Sequence, residues 1–141
     1  MGCLFCKIIN KEISAEIVYE DDEVLAFLDI NPVNPGHTLV VPKKHCENML
    51  DASEADLCSL ISVIPKIARA IMASGQYEAF NVAMNNGAIA GQVIKHLHFH
   101  IIPRRTDDGC HLFKGAARSN DELNVDGEKI RKHLSNETME Q

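Results

Sequence analysis

Hydrophobic and polar positions alternate strictly at the point where three of the seven histidines of the chain lie close together. His96, His98 and His100 are separated by Leu97 and Phe99. Because successive side chains of a strand point to opposite faces, this period of two predicts a strand. The three imidazoles would then share one face, about 7 Å from one to the next, while the apolar side chains face the core.

Four further strands and one long helix are predicted by apolar patterns elsewhere in the chain. Short apolar and β-branched runs predict strands at 17–19, 24–28, 37–42 and 80–85. Between the last two, apolar residues at spacings of three and four predict a helix with one buried face. Ser53 is its expected N-cap and Gly75 its expected end. This order of elements predicts an α+β fold, with a five-stranded antiparallel sheet and one main helix.

Composition and charge are those of an ordinary globular protein. The 141 residues, 45% hydrophobic and 24% charged, suffice for one domain with a buried core. The net charge of −6 argues against nonspecific binding to a nucleic-acid backbone, which requires a basic surface. No apolar run approaches membrane-spanning length, and the N-terminus lacks a signal-peptide pattern. We therefore expect a cytoplasmic protein that binds neither nucleic acid nor a membrane.

The five cysteines are an odd number without a secretory context, which argues against a disulfide framework. Two of them, Cys3 and Cys6, form a C-x-x-C pair. The thioredoxin-like βαβ pattern expected around a redox pair is absent, and a structural zinc site needs four ligands. From the residues alone, the pair either packs as small apolar side chains or shares a metal with His45 and one of the clustered histidines.

The clustered histidines have three possible roles. Imidazole titrates near neutrality, so it serves as a nucleophile, a general acid or a metal ligand. The preceding Gly-Gln pair and an asparagine-rich loop argue against a plain solvated face. Catalysis and metal binding both stay open at this point, including a metal protein that uses His96, His98 and His100 as ligands.

The segment 91–102 resembles the signature of the histidine triad (HIT) family, His-x-His-x-His flanked by apolar residues. The segments 27–32, 36–45 and 85–87 are similar to further family motifs, in the same order and spacing. The resemblance implies a HIT domain at 1–104, of the Hint-like phosphoramidase branch. It also implies a homodimer with joined sheets, in which residues 105–141 form an extension packed on or across the dimer, not a separate domain.

The resemblance also implies the site residues and the reaction. His98 would be the nucleophile that attacks the α-phosphorus of a purine nucleoside phosphoramidate or acyl-nucleotide. Water would then hydrolyse the nucleotidyl-histidine and release AMP or GMP. His100 would hydrogen-bond the phosphate, and His96 and His37 would be supporting histidines. The other nucleotide-binding positions implied are Phe27, Asp29, Ile30, Asn85, Gly91, Gln92 and Val93.

The C-x-x-C pair also has a counterpart in the family. Some HIT proteins, and the related galactose-1-phosphate uridylyltransferases, resemble an arrangement that maps here onto Cys3, Cys6, His45 and His96. Such a set implies a structural Zn²⁺, because four protein ligands leave no position for a reacting water. The alternative is that the two cysteines only pack.

One departure from the family pattern concerns Val93. Many family members carry a hydroxyl or other polar residue there, whereas valine offers only its backbone to the phosphate or leaving group. Alternatives within the same chemistry, independent of this departure, are a dinucleoside polyphosphate hydrolase or a nucleotidyl transferase. An alternative of another class is a nucleotide-binding interaction or sensor protein with little activity.

Overall fold

A computed structural model describes residues 2–111 and 115–140, without the side chains of 136–140. The chain divides into two compact units, Met1–Cys110 and His111–Gln141. The first contains α1 (Leu4–Ile9), β1 (Ile17–Glu20), β2 (Val24–Leu28), β3 (Thr38–Pro42), α2 (Glu54–Gly75), β4 (Ala79–Ala83), a 3₁₀ turn (Ala88–Ala90) and β5 (Phe99–Arg104). The second contains α3 (Asn120–Glu140). The predicted extension at 105–141 thus begins within the first unit, and residues 112–114 and 141 lie outside the described part.

The five strands form one antiparallel sheet in the order β1-β2-β3-β5-β4. This confirms the predicted α+β fold class. β3 is buried along its whole length, and β5 lies between it and β4. In this register His100 lies opposite Leu39 on one side and Ala83 on the other. The sheet therefore holds the last of the three clustered histidines between two paired strands.

Helices cover both faces of the sheet in the first unit. On one face, α2 packs its buried side chains against strand residues such as Val40 and Ile101. On the other face, Phe5 and Ile8 of α1 pack against Leu25 and neighbouring strand residues. Because both faces are covered, β2 is a continuous apolar run rather than an alternating one.

The long helix begins and ends as predicted. The Ser53 side chain accepts a hydrogen bond from the Asp56 amide at 3.0 Å, as an N-cap does. Gly75 belongs to the helix, and Gln76 takes the left-handed conformation, with a φ of 56°. A Cβ atom at Gly75 would lie 2.2 Å from the ring of Tyr77, so this glycine is required by packing.

α2 is long and apolar enough to cross a membrane by length and composition. This corrects the expectation that no run approaches membrane-spanning length. Leu60, Ile64 and Ala68 of this helix are buried in the core. A single helix of this kind is weak evidence for a span, because core helices satisfy the same criteria.

The predicted histidine strand is wrong in extent. β5 begins only at Phe99, so His98 precedes the strand and His96 lies in a bend. The ladder between β3 and β5 ends because Pro42 has no amide donor, and its carbonyl accepts a hydrogen bond from the ring Nε2 of His96 at 2.8 Å. The Leu97 amide instead bonds to the Cys46 carbonyl at 2.8 Å.

The second unit contains a long helix, although the residues after Pro103 carry only a weak helix pattern, around 128–134. A capping box begins it, in which the Glu122 amide donates to the Ser119 hydroxyl at 3.2 Å and the Ser119 amide donates to the Glu122 carboxylate at 3.0 Å. The helix then runs over Asn120–Glu140. The S-x-x-E signal is visible in the sequence and should have placed this N-terminus.

Candidate active site and metal cluster

A cavity of about 450 Å³ lies against the α1 face of the sheet. Cavities of this size suit a ligand as large as a nucleotide. Eight of the predicted nucleotide-binding positions line it, namely Phe27, Asp29, Ile30, Asn85, Gly91, Val93, His98 and His100. The fold thus brings together residues that are up to 73 positions apart, from 27 to 100.

Three further predicted site residues are buried and do not line this cavity, namely Gln92, His37 and His96. Gln92 is buried, and its side chain is used within the protein. It accepts from the Gly87 amide at 2.8 Å and donates to the carbonyls of Glu47 and Ile94 at 2.6 and 3.1 Å. It therefore holds the loop before the histidines in place. His37 and His96 are buried as well.

One ring nitrogen of His98 makes a hydrogen bond within the protein, and the other is available to react. Its Nδ1–H donates to the His96 carbonyl at 2.7 Å. Because the neutral ring carries one proton, Nε2 then has an unshared electron pair. Burial lowers the pKa of His98, against the opposing effects of this hydrogen bond and of Asp29. The ring is therefore neutral at physiological pH, which is the state a nucleophile requires.

His100 has the opposite arrangement, set by a chain of hydrogen bonds. The Val33 amide donates to Nδ1 of His37 at 3.1 Å, so the proton of the His37 ring lies on Nε2. That Nε2–H donates to Nδ1 of His100 at 2.9 Å. The proton of the His100 ring therefore lies on Nε2, as a donor for a ligand. Burial, followed by the neighbouring His98 and His37, lowers the pKa of His100 to about 4.

Asp29 supplies the acidic group of the cavity. Its Oδ1 accepts from the Asn31 amide at 2.8 Å, and its Oδ2 lies 3.6 Å from Nε2 of His37. Together with His37 and His100 it forms a cluster whose spacing could hold a metal ion. The hydrogen bonding argues against a metal ion, because Nε2 of His37 carries a proton and has no electron pair to offer a cation. We interpret Asp29, His37 and His100 as a group that fixes which ring nitrogen of His100 carries the proton, and we call this group the relay.

A second cluster fits a metal. One ligand atom from each of Cys3, Cys6, His45 and His96 lies within 4.8 Å of all the others. Nδ1 of His96 is 3.4 and 3.5 Å from the two sulfur atoms, and 3.2 Å from Nδ1 of His45. Ordinary zinc bond lengths give tetrahedral edges of about 3.6 Å from S to N and about 3.3 Å from N to N. The three distances from Nδ1 of His96 thus match the edges of a tetrahedral zinc site.

The partner of His96 also suits metal binding. Its Nε2–H donates to the Pro42 carbonyl at 2.8 Å, which leaves the electron pair on Nδ1 directed at the cluster. Metal-ligating histidines usually donate their other ring N–H in this way. Burial lowers the pKa of His96, which favours the neutral ring that a metal requires.

The sequence profile of the HIT domain matches residues 10–107. The chain belongs to the histidine triad family. The resemblance predicted from the motifs is thereby confirmed. An uncharacterized HIT-like protein from Methanocaldococcus jannaschii is 47% identical over 94% of this chain and 98% of its own length.

Two relatives of this HIT-family protein have names that state an activity. An adenosine 5'-monophosphoramidase from Schizosaccharomyces pombe is 40% identical over 77% of this chain and 78% of its own length. An adenylylsulfatase from Arabidopsis thaliana is 37% identical over 99% of this chain and 73% of its own length.

Solved structures share the HIT fold. A protein from Streptococcus mutans superimposes with a TM-score of 0.90 at 39% identity, covering 94% of this chain and 85% of its own. A zinc-bound histidine triad family protein from Mycobacterium smegmatis gives a TM-score of 0.75 at 33% identity, covering 100% of this chain and 99% of its own.

One wall of the HIT cavity was not predicted. It is lined by Leu4, Phe5, Ile8 and Ile13, none of which is a predicted nucleotide-binding position. The Phe5 ring contacts the His98 ring edge to face, with centroids 5.1 Å apart and planes at 90°. Apolar residues at spacings of three and four around Cys6 could have revealed this helix.

The loop that carries Asn85 and Gly91 at the cavity depends on its glycine. Gly91 has a φ of 98°, a conformation that residues with a side chain rarely adopt. A Cβ atom there would lie 3.1 Å from Nδ2 of Asn85. Glycine therefore lets the backbone at this position take its conformation and approach the Asn85 side chain closely.

Proposed function

We propose that this HIT-family protein is a purine nucleotide hydrolase. It would cleave nucleoside phosphoramidates or acyl-nucleotides at the α-phosphorus and release AMP or GMP. The observation that carries the proposal is the pair of opposite tautomers: His98 offers an electron pair, and His100 offers a proton donor, in one cavity. The relatives named as a monophosphoramidase and an adenylylsulfatase support it, because both names describe adenylate substrates.

The cavity suggests how the nucleotide binds. Phe5, Phe27 and Ile30 would form apolar walls for the purine, and the Asp29 carboxylate would accept hydrogen bonds from the ribose hydroxyls. The phosphate would then lie toward the histidines, where Nε2–H of His100 stabilises the charge on its oxygens.

The first chemical step would be attack of Nε2 of His98 on phosphorus. A nitrogen–phosphorus bond forms as the bond to the leaving group breaks, and the ring becomes a nucleotidyl-imidazolium whose Nδ1–H stays on the His96 carbonyl. An acyl or sulfate group leaves as an anion, and a phosphoramidate nitrogen that is already protonated leaves as a neutral amine. In the second step water attacks phosphorus, the nitrogen–phosphorus bond breaks, and the water's surplus proton passes to solvent.

We also propose that the cluster of Cys3, Cys6, His45 and His96 holds a structural zinc ion. The zinc-bound relative from Mycobacterium smegmatis supports this assignment. The ion would supply a crosslink, because four protein ligands complete its coordination and leave no position for water. It would join α1 to the segment before β5.

For the whole protein we propose a cytoplasmic homodimer that binds neither nucleic acid nor a membrane. The strand β4 is an edge of the sheet, and its Phe80 and Val82 are each 42% exposed. Pairing of two such edges would join the sheets and cover both side chains. The extension at 105–141 would pack on or across this dimer.

His98→Ala tests the proposed reaction. We expect turnover of adenosine phosphoramidate to fall on the order of 10⁴-fold, because the nucleophile is lost, while AMP binding changes little. Mass spectrometry of quenched wild-type protein should show a nucleotidyl adduct on His98. Full activity in the variant would contradict the proposal.

The same assay separates the alternatives. Faster cleavage of a dinucleoside polyphosphate, or transfer to an added acceptor, would favour those reactions through the same intermediate. Tight AMP binding with background turnover of every substrate would favour a binding protein.

A further inference from the structure

The loop at 29–37 carries three parts of the proposed site, namely Asp29, the Val33 amide and His37. It joins β2 to β3, and its residues 31–33 are exposed. Within the loop, the Asp29 amide donates to the His37 carbonyl at 2.9 Å, and the His37 amide donates to the Asn34 carbonyl at 3.0 Å. These two bonds close the loop, but they leave its tip to be held by contacts with the rest of the protein.

Two hydrogen-bonding side chains make such contacts: the Tyr77 hydroxyl donates to the Pro35 carbonyl, and Asn34 bonds to two groups outside the loop. Its amide nitrogen donates to the Pro103 carbonyl at 2.9 Å and to Oδ2 of Asp108 at 2.9 Å, which uses both hydrogens of the group. Pro103 belongs to β5, three positions after His100. One side chain therefore ties the loop of His37 to the strand of His100 and to the turn that follows this strand.

Asp108 is itself rigidly placed. Arg104 binds it with two parallel hydrogen bonds, from Nε to Oδ2 at 2.7 Å and from Nη2 to Oδ1 at 2.8 Å. The Asp108 side chain is only 4% exposed. The Arg104 guanidinium holds the pKa of Asp108 well below its usual range, so the acceptor for Asn34 stays ionised. Arg104 is fixed in turn by the side chain of Asn81 at 2.8 Å and the carbonyl of Cys110 at 2.7 Å.

The position of the loop decides which tautomer His100 adopts. When the Val33 amide donates to Nδ1 of His37, the ring proton of His37 lies on Nε2 and is donated to Nδ1 of His100. The ring proton of His100 then lies on Nε2. Without that amide, His37 can carry its proton on Nδ1 and accept from Nδ1–H of His100. Nε2 of His100 would then present an electron pair to the phosphate oxygens and repel them.

We propose that Asn34 and Asp108 are positioning residues that keep His100 in its donor tautomer by holding the Val33 amide on His37. We name this pair the Asn34–Asp108 clamp. The importance of the donor for turnover rests on the proposed function, whereas the tautomer is a property of the free protein. The clamp acts through His37 and touches no reacting atom.

The test compares Asn34→Leu and Asp108→Asn with Thr106→Val. Thr106 lies in the same turn and bonds to Glu78 instead of the loop, so its variant is the matched control. Long-range proton–nitrogen NMR spectra of ¹⁵N-histidine-labelled free protein report the tautomer of each ring. We expect the wild type and Thr106→Val to show the proton on Nε2 of His37 and His100. The two clamp variants should show mixed or reversed tautomers of both rings, with His98 unchanged.

Kinetics give the second readout. In Asn34→Leu, kcat should fall about tenfold, and KM should stay nearly unchanged. This fall in kcat is smaller than the one expected when a hydrogen-bond donor to the transition state is removed altogether. In a His37→Gln background the same substitution should cause no further loss, because the clamp acts through His37.

Unchanged tautomers in the folded clamp variants would overturn the inference, whatever the activity. If Asn34→Leu does not fold, Asp108→Asn, which keeps the shape of the side chain, provides the same readout. A tautomer shift in a protein whose wild type hydrolyses no nucleotide would overturn the proposed function and leave the clamp intact.

Discussion

Backbone hydrogen bonds make the three neighbouring histidines chemically different. His98 donates to the His96 carbonyl, and His96 donates to the Pro42 carbonyl. His100 accepts from His37, which in turn accepts from the Val33 amide. One ring thus directs an electron pair into the cavity, one directs it at the cysteines, and one offers a proton. The proposed mechanism rests on these three different roles of the rings.

Val93→Ser tests how the leaving group departs. Val93 lines the cavity and is 87% exposed, so a serine there leaves the core intact. With His100 neutral and valine apolar, the site offers no strong acid to an amine leaving group. We expect the serine hydroxyl to raise kcat/KM about tenfold for a phosphoramidate with a basic amine, the value of one hydrogen bond of about 1.4 kcal/mol.

The same substitution should leave an acyl-nucleotide unaffected, since its leaving group departs as an anion. Val18→Ser, at an exposed valine of β1, is the matched control. Equal gains on both substrates would contradict this account of the leaving group.

The short helix α1 links the metal cluster to the cavity. Cys3 caps it and Cys6 lies within it, while Phe5, between them in sequence, contacts both Phe27 and His98. At the scale of elements, a helix of six residues gains little from its own hydrogen bonds, so its position depends on packing and on the cluster.

Metal removal should therefore loosen one wall of the cavity. We expect wild-type protein to contain one zinc per chain and Cys3→Ser to contain none, because a tetrahedral site has lost a ligand. Amide hydrogen exchange of α1 should become faster in Cys3→Ser, while that of β5 stays slow. Elemental analysis and exchange mass spectrometry measure the two effects.

Cys58→Ser is the control, since Cys58 is exposed and lies outside the cluster. His98→Ala should keep its zinc. Loss of the metal in His98→Ala would favour a site built from the three clustered histidines instead.

In the first unit, helices cover both faces of the sheet, and several ionisable histidine rings are buried in it. His37, His96 and His98 are buried among the polar residues of the core, and burial lowers the pKa of each. The pKa of His100 is lowered to about 4. Folding therefore keeps these rings neutral, whereas in an unfolded chain they would titrate near 6.5.

Acid should destabilise this protein through its histidines. Between about pH 6.5 and 4 the unfolded chain binds more protons than the folded one, so stability falls as pH falls. His100 alone would contribute about 3 kcal/mol over that interval. Urea unfolding of metal-free protein at pH 7.5, 5.5 and 4.5 measures the slope.

His100→Gln should flatten that slope, and the exposed His133→Gln should not. An identical slope in wild type and His100→Gln would contradict the link between the buried relay and acid stability.

Much of the fold could be predicted from local patterns. The helix cap at Ser53, four of the strands and the fold class follow from periods and turn residues, which depend on near neighbours. The start of β5 could not be placed, because it depends on Pro42 in another strand. α1 and the capping box of α3 carried usable signals that the prediction missed.

Local sequence patterns are enough to set the faces of the sheet and the residue types of the site. Alternation places Leu97 and Phe99 in the core beneath α2, and His98 and His100 at the cavity on the opposite face, even though the strand is shorter than predicted. Which nitrogen of each ring carries its proton depends instead on contacts made in the folded protein. The groups that decide it, the Val33 amide and the Pro42 and His96 carbonyls, are backbone groups whose direction is set by packing and pairing, and no side-chain pattern encodes them.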